Sequence, residues 1–129
     1  MPATPPRTWE CHLHLTNDPR APRIARHTIR TALLDYGNSP ELAAMAELLT
    51  SELVSNAVKH SDGPLSVWLH TGTGVIRIGE MDNDPELPNS LPCTTDAPFG
   101  RGLSLVQAMA ARWGRYRLTD SKVVWFELN

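Results

Sequence analysis

Residues 39 to 60 read as one uninterrupted helix, and nothing else in the chain constrains its fold so strongly. Ser39-Pro40 supplies a cap and then a proline at the first helical position, and Ser61-Asp62-Gly63-Pro64 stops the run. Measured from Leu42 at about 100° per residue, Met45, Leu49, Leu53 and Ala46 fall between about 300° and about 40°. A stripe of that kind has to be buried against a second layer. The second layer is legible in the shorter runs. Trp9, Cys11, Leu13 and Leu15 alternate with polar residues, and Leu65–Thr71 and Val75–Met81 flank a Thr-Gly-Thr-Gly turn. Arg115–Thr119 and Lys122–Leu128 form a second hairpin around Asp120-Ser121.

Two further helices complete the pattern. The first opens at Asn17-Asp18-Pro19, carries Ala21, Ile24, Ala25, Thr28, Ile29, Ala32, Leu33 and Tyr36 at helical spacing, and ends at Gly37. The third follows Gly100-Arg101-Gly102 and runs from Leu103 to about Trp113. The order β-α-α-β-β-loop-α-β-β predicts an α+β protein: a two-layer α/β sandwich with a mixed, mostly antiparallel sheet and three main helices. Residues 1–7 are a Pro-rich flexible leader, and 8–129 are expected to form one domain. Between Asp82 and Phe99 lie four prolines and no periodicity, which predicts a long loop, of a kind that is usually functional or mobile.

Charge and composition remove several classes of function. A net charge of −2 lacks the electrostatic footprint of a nucleic-acid binder, so no direct nucleic-acid contact is expected. No apolar run approaches the roughly 18 residues of a membrane span, and the first residues carry no signal-peptide core; a cytoplasmic location is the default expectation. Cys11 and Cys93 have neither CxxC spacing nor metal-ligand neighbours. His12 and His14 point to one side of a strand, but with no third ligand nearby in sequence the pair is not read as a metal site. Arg20, Arg23, Arg26 and Arg30 gather in one helix, and Glu80, Asp82, Asp84, Glu86 and Asp96 in one later segment.

Three constellations carry chemistry. On the long helix Glu52, Asn56 and His60 fall at about 280°, 320° and 0°, among the apolar positions. Burying an uncompensated amide costs about 1–3 kcal/mol, so either the helix end leaves the core or a polar ligand meets these groups. An amide oxygen suits Mg²⁺ held mainly by phosphates and water, and a glutamate one turn earlier suits proton abstraction. Gly100-Arg101-Gly102-Leu103 at a helix start offers backbone amides and a dipole to a phosphate, or is a plain loop-to-helix turn. Asp82, following an apolar strand, either caps a turn or accepts from an exocyclic amine such as that of adenine.

Taken together, these elements resemble the GHKL, or histidine kinase-like, ATPase superfamily with its Bergerat fold. Within it they are most similar to the single-domain bacterial anti-sigma-factor serine/threonine kinases. The resemblance runs from about Trp9 to Leu128: ELVSNAVKHS looks like the N-box, GRGLSLVQAMAARWG like the second glycine box, and KVVWFEL like the final strand. It implies ATP and Mg²⁺ as ligands, with Asn56 coordinating the ion and Glu52 as catalytic base. It also implies Asp82 on the adenine amino group, the backbone of Gly100, Gly102 and Leu103 around the phosphates, Arg101 adding charge, and Lys59 and His60 near the phosphate end. The loop from about Asp84 to Phe99 would be the ATP lid.

The implied activity is phosphorylation of an anti-sigma-factor antagonist, with a sigma factor as second partner and a homodimer as a common assembly. The alternative is a catalytically weak nucleotide-binding module that only sequesters a sigma factor or another regulator. It stays open because the first glycine box, usually D-x-G-x-G, reads Asp82-Asn83-Asp84-Pro85-Glu86. Both glycines are missing, and no lysine or arginine precedes Arg101 in the lid, so weak ATP binding is expected.

Overall fold

The computed structural model describes residues 8–72, 74–84 and 101–129, with side chains in the last segment from residue 104. The elements are β1 (Trp9–Leu15), α1 (Ala21–Asp35), α2 (Pro40–His60), β2 (Leu65–Thr71), β3 (Ile76–Asp82), α3 (Arg101–Met109), β4 (Arg112–Arg117) and β5 (Lys122–Leu128). The five strands form one sheet in the order β1-β2-β3-β5-β4. Every described pairing is antiparallel, so the expected mixed sheet is antiparallel throughout. The leader 1–7, Cys93 and the lid from Pro85 onward, with Gly100, lie outside the described residues.

Alternation decides which side of the sheet is dry. Leu65, Val67 and Leu69 on β2, Ile76 and Ile78 on β3, and Val124, Phe126 and Leu128 on β5 are buried on one face. Ala21, Ala25, Ile29 and Leu33 of α1, Ala43, Ala46, Leu49, Leu53, Val54 and Ala57 of α2, and Val106 of α3 complete the same core. The opposite face has no helix over it among the described residues. There Trp68 covers Gly79, its cross-strand partner, and Trp125 covers Gly114 in the same way. Arg77 lies 4.5 Å from the centroid of the Trp125 ring, and its guanidinium donates to Glu127 Oε2 at 2.9 Å through Nε.

The helix ends follow their sequence signals in two of three cases. Ser39 Oγ accepts the Leu42 N–H at 3.1 Å, the expected cap of α2. At the end of α1, Asn38 N–H bonds to Leu33 O and Gly37 N–H to Leu34 O, both at 3.0 Å, with Gly37 at φ 84°. That is a Schellman end, which needs a left-handed residue at the glycine. The start of α1 differs from expectation. Arg20 is the N-cap, with no side-chain capping bond, and the first helical residue is Ala21. The Asp18 carboxylate is occupied by Arg20 itself, taking its backbone N–H at 2.7 Å and its guanidinium at 2.9 Å.

Four other expectations are corrected. The third helix stops at Met109, and Trp113 lies on β4 opposite Phe126; a short apolar run fits either period, and here the strand pairing with β5 decides it. β4 therefore spans Arg112–Arg117 instead of 115–119. β3 starts one residue later than expected and includes Asp82 as its last residue, so the aspartate belongs to the strand and does not follow it. On α1, Ile24 and Tyr36 fall outside the buried line, 47% and 38% exposed. Tyr36 rests instead against Trp9, with ring centroids 4.6 Å apart.

Candidate functional site

The buried residues of α2 show where its dry side points. Ala43, Ala46, Leu49, Thr50, Leu53, Val54 and Ala57 are buried, whereas Leu42 and Met45 are only partly so. On the sequence wheel the true centre of the stripe falls near about 60°, rotated from the expected one, and Asn56 lies about 100° and Glu52 about 140° from it. Asn56 is thus not enclosed by buried neighbours on both sides. Glu52, Asn56 and His60 are each half-buried, Glu52 lying farthest from the stripe's centre, and Lys59 is exposed. Among the described residues, neither the Glu52 carboxylate nor the Asn56 amide is engaged by another side chain.

The end of α2 is tied to the strand layer. Ser61 Oγ donates to Ala57 O at 2.7 Å, Asn17 Nδ2 donates to Ser61 O at 2.6 Å, and Gly63 N–H donates to Asn83 Oδ1 at 3.2 Å. The last bond joins the turn after α2 to the residue after β3. The end of α2, the start of β2, the end of β3 and the start of β5 therefore share one end of the sheet.

At that end lies a buried cluster of four ionisable side chains. Glu80 and Asp82 sit two apart on the helix-facing side of β3, only 2% and 3% exposed, and Lys122 is the cross-strand partner of Asp82. Asp82 Oδ1 accepts the Asp84 N–H at 2.8 Å, and Lys122 Nζ donates to Asp84 Oδ2 at 3.0 Å. Lys122 Nζ stands 4.0 Å from Asp82 Oδ1. Desolvation pushes the Glu80 carboxyl well above its ordinary range. A hydrogen bond to Asp82 and the charges of Asp82 and Asp84 push the same way, and Lys122 opposes them. Burial at this position therefore favours the protonated form of Glu80. Glu80 Oε2 and Asp82 Oδ2 remain buried without a hydrogen-bond partner.

An orphaned carboxylate oxygen at a strand end is an unmet demand for a donor. Asp82 Oδ2 fits an exocyclic amine, and the unengaged Asn56 amide oxygen fits a hard cation. Glu52 lies one turn before Asn56 and is half-exposed. Asp84 adds no free charge to this corner. Its carboxylate is turned inward onto Lys122, so its charge is neutralised at 3.0 Å. Arg101, Gly102 and Leu103 form the first turn of α3, which starts two residues earlier than expected; their side chains, and Gly100, lie outside the described residues.

Two members of this cluster were not singled out from sequence as site residues. Glu80 has the parity of Ile76 and Ile78, and Lys122 that of Val124 and Phe126, so alternation alone marks both as facing the core. Their meeting with Asp82 needed the β3–β5 register. The arginines of α1 are partly spoken for: Arg20 pairs with Asp18, and Arg26 and Arg30 approach Glu47 at 4.0 and 3.7 Å. A cleft of about 540 Å³, lined by Tyr36, Leu42, Thr71 and Ile76 among others, opens at the opposite end of the sheet and contains none of the nominated residues. Among the described residues, no helix is long and apolar enough to cross a membrane.

One antiparallel sheet with three helices against one of its faces thus carries Glu52 and Asn56 on its long helix and a buried aspartate at the end of β3. The chain is similar in fold to the crystal structure of the RsbU and RsbW domains of Rv1364c from Mycobacterium tuberculosis, with a TM-score of 0.74 and 18% identity. That match takes in 94% of this chain and 32% of the other, and at such identity it is a likeness of fold. No protein-family model matches the chain, and no curated protein does.

Proposed function

We propose that the chain is an ATP- and Mg²⁺-binding anti-sigma regulatory factor that phosphorylates a serine or threonine of an antagonist protein in a partner-switching system. The observation that carries the reading is the unpartnered, buried Oδ2 of Asp82, at the same end of the sheet as the half-buried Glu52–Asn56 edge. Asp82 would take the adenine amino group, beside a Glu80 whose burial favours its protonated form. Asn56 would hold the cation that accompanies the phosphates, and Glu52 would accept the proton of the attacked hydroxyl. ATP with its ion supplies the phosphoryl group, and the hydroxyl oxygen forms the new P–O bond as ADP leaves. Lys59, His60 and the start of α3 would flank the phosphates.

A second reading is supported by the same corner. Asp84 stands where the first glycine box has a glycine, and its backbone N–H and carboxylate are both committed, to Asp82 and Lys122. A turn held in this way suits a module that binds nucleotide weakly and acts by sequestering a sigma factor or other regulator. Calorimetry with ATP and Mg²⁺ separates the readings: binding that is lost in Asp82→Asn supports the first, and none at millimolar ATP eliminates it. Given binding, Glu52→Ala should abolish label transfer from γ-labelled ATP to the antagonist while leaving nucleotide affinity within about threefold. Undiminished transfer would remove Glu52 as the base.

A further inference from the structure

We propose that Glu10, His12 and His70 form a binding site for a borderline divalent metal ion, Zn²⁺ by their ligand chemistry, on the open face of the sheet. It is independent of the nucleotide reading and lies on different residues. The His12-x-His14 pair lacked a third ligand along the sequence, and the sheet supplies one from the neighbouring strand. The β1–β2 register sets Glu10 directly opposite His70 and His12 opposite Trp68, so His12 stands diagonal to His70 on the same face. His14 is not part of the set; its Nδ1 lies 2.9 Å from Ser66 Oγ.

The distances are those of a metal-ligand set. His12 Nε2 is 3.5 Å from Glu10 Oε2, and His70 Nε2 is 3.8 Å from Glu10 Oε1. One ligand atom from each of the three residues can be chosen so that all lie within 4.8 Å of one another. Zinc bonds of roughly 2.0–2.1 Å in a tetrahedron place ligand atoms about 3.4 Å apart, and the two carboxylate–imidazole edges, which run to different oxygens of Glu10, close when its carboxyl turns to present one oxygen to both rings. The third is closed by turning the imidazoles, whose rings stand 5.9 Å apart at 51°. The side chains of Glu10, His12 and His70 are 61%, 55% and 43% exposed, which leaves them room to turn and a fourth position open to water.

Two imidazoles and one carboxylate select zinc or a neighbouring transition metal over Mg²⁺ or Ca²⁺, which prefer all-oxygen sets. The donors come from both strands of the β1–β2 pair, and β1 is an edge of the sheet with a neighbour on one side only. A bound ion would clip that edge to β2.

The test is titration of the metal-free full-length chain with ZnCl₂ in a non-chelating buffer, followed by calorimetry and by the visible absorption of a Co²⁺ substitute. One ion per chain is expected, with a tetrahedral Co²⁺ spectrum and a rise in Tm on loading. His12→Ala and His70→Ala should each weaken binding at least tenfold, and His14→Ala should leave it unchanged. Circular dichroism of the metal-free variants verifies that these surface changes leave the fold intact. Absence of stoichiometric binding overturns the proposal. So does binding that survives in the His12→Ala/His70→Ala double variant, or that His14→Ala abolishes.

Discussion

Glu80 occupies a position that alternation reserves for an apolar side chain, and the consequence is a proton held through folding. In the folded chain the carboxyl titrates well above its ordinary value of 4.5, whereas the unfolded chain ionises near that value. Between the two, the folded state binds more protons, so stability falls as pH rises from about 4.5 toward the folded value. Glu80→Gln keeps the shape and removes the proton. Thermal melts from pH 5 to 8 should show a flatter dependence of Tm on pH in the variant, with the largest gain over the parent at pH 8. An unchanged slope would mean that the native site tolerates the charged form. The residue scale is also where the sequence was least legible. Glu52, Asn56 and Asp82 were nominated from type and spacing, but Lys122 acquires its meaning only as the partner of Asp82 across two strands that lie 40 residues apart in register.

Among the elements, the β2–β3 pair carries a sharp packing constraint. The Trp68 ring lies on Gly79 so closely that a Cβ there would overlap it. Gly79→Ala must displace the indole or bend β3, and overpacking of this kind costs about 1–3 kcal/mol. Urea denaturation should show the loss as a lower midpoint at unchanged slope, and Gly72→Ala, with nothing within 4 Å, should lack this overpacking cost. Elements bounded by strong punctuation were legible at their ends: Ser39-Pro40 and Ser61-Asp62-Gly63-Pro64 bracket α2 as expected. Where two local preferences compete, the sequence misleads. Asp18 has a capping side chain, yet the adjacent Arg20 guanidinium claims it. Trp113 fits a helical face, yet β5 recruits it into the sheet.

At the scale of the whole molecule, the described helices and strands share one core. Side chains from α1, α2, α3 and strands β2, β3 and β5 belong to a single buried cluster, with Trp9, Cys11, Leu13 and Leu15 of β1 and Trp113 of β4 against it. Unfolding should therefore be cooperative, and tryptophan fluorescence and far-ultraviolet circular dichroism should trace coincident transitions in denaturant. Separate midpoints would point to an independently melting edge. The two-layer architecture was readable because both periods are long and clean; the wholly antiparallel strand order was not, because it depends on β5 entering between β3 and β4, which no local pattern specifies.

The bond from Gly63 to Asn83 bears on how such a corner would receive a guest. It staples residues 20 apart in the chain, and a Cβ on Gly63 would stand only 2.7 Å from Asn83 Nδ2. The helix edge bearing Asn56 and the strand end bearing Asp82 are thus held in register by the protein itself. A molecule long enough to touch both meets a span set in advance, and little of its binding energy goes into arranging that span.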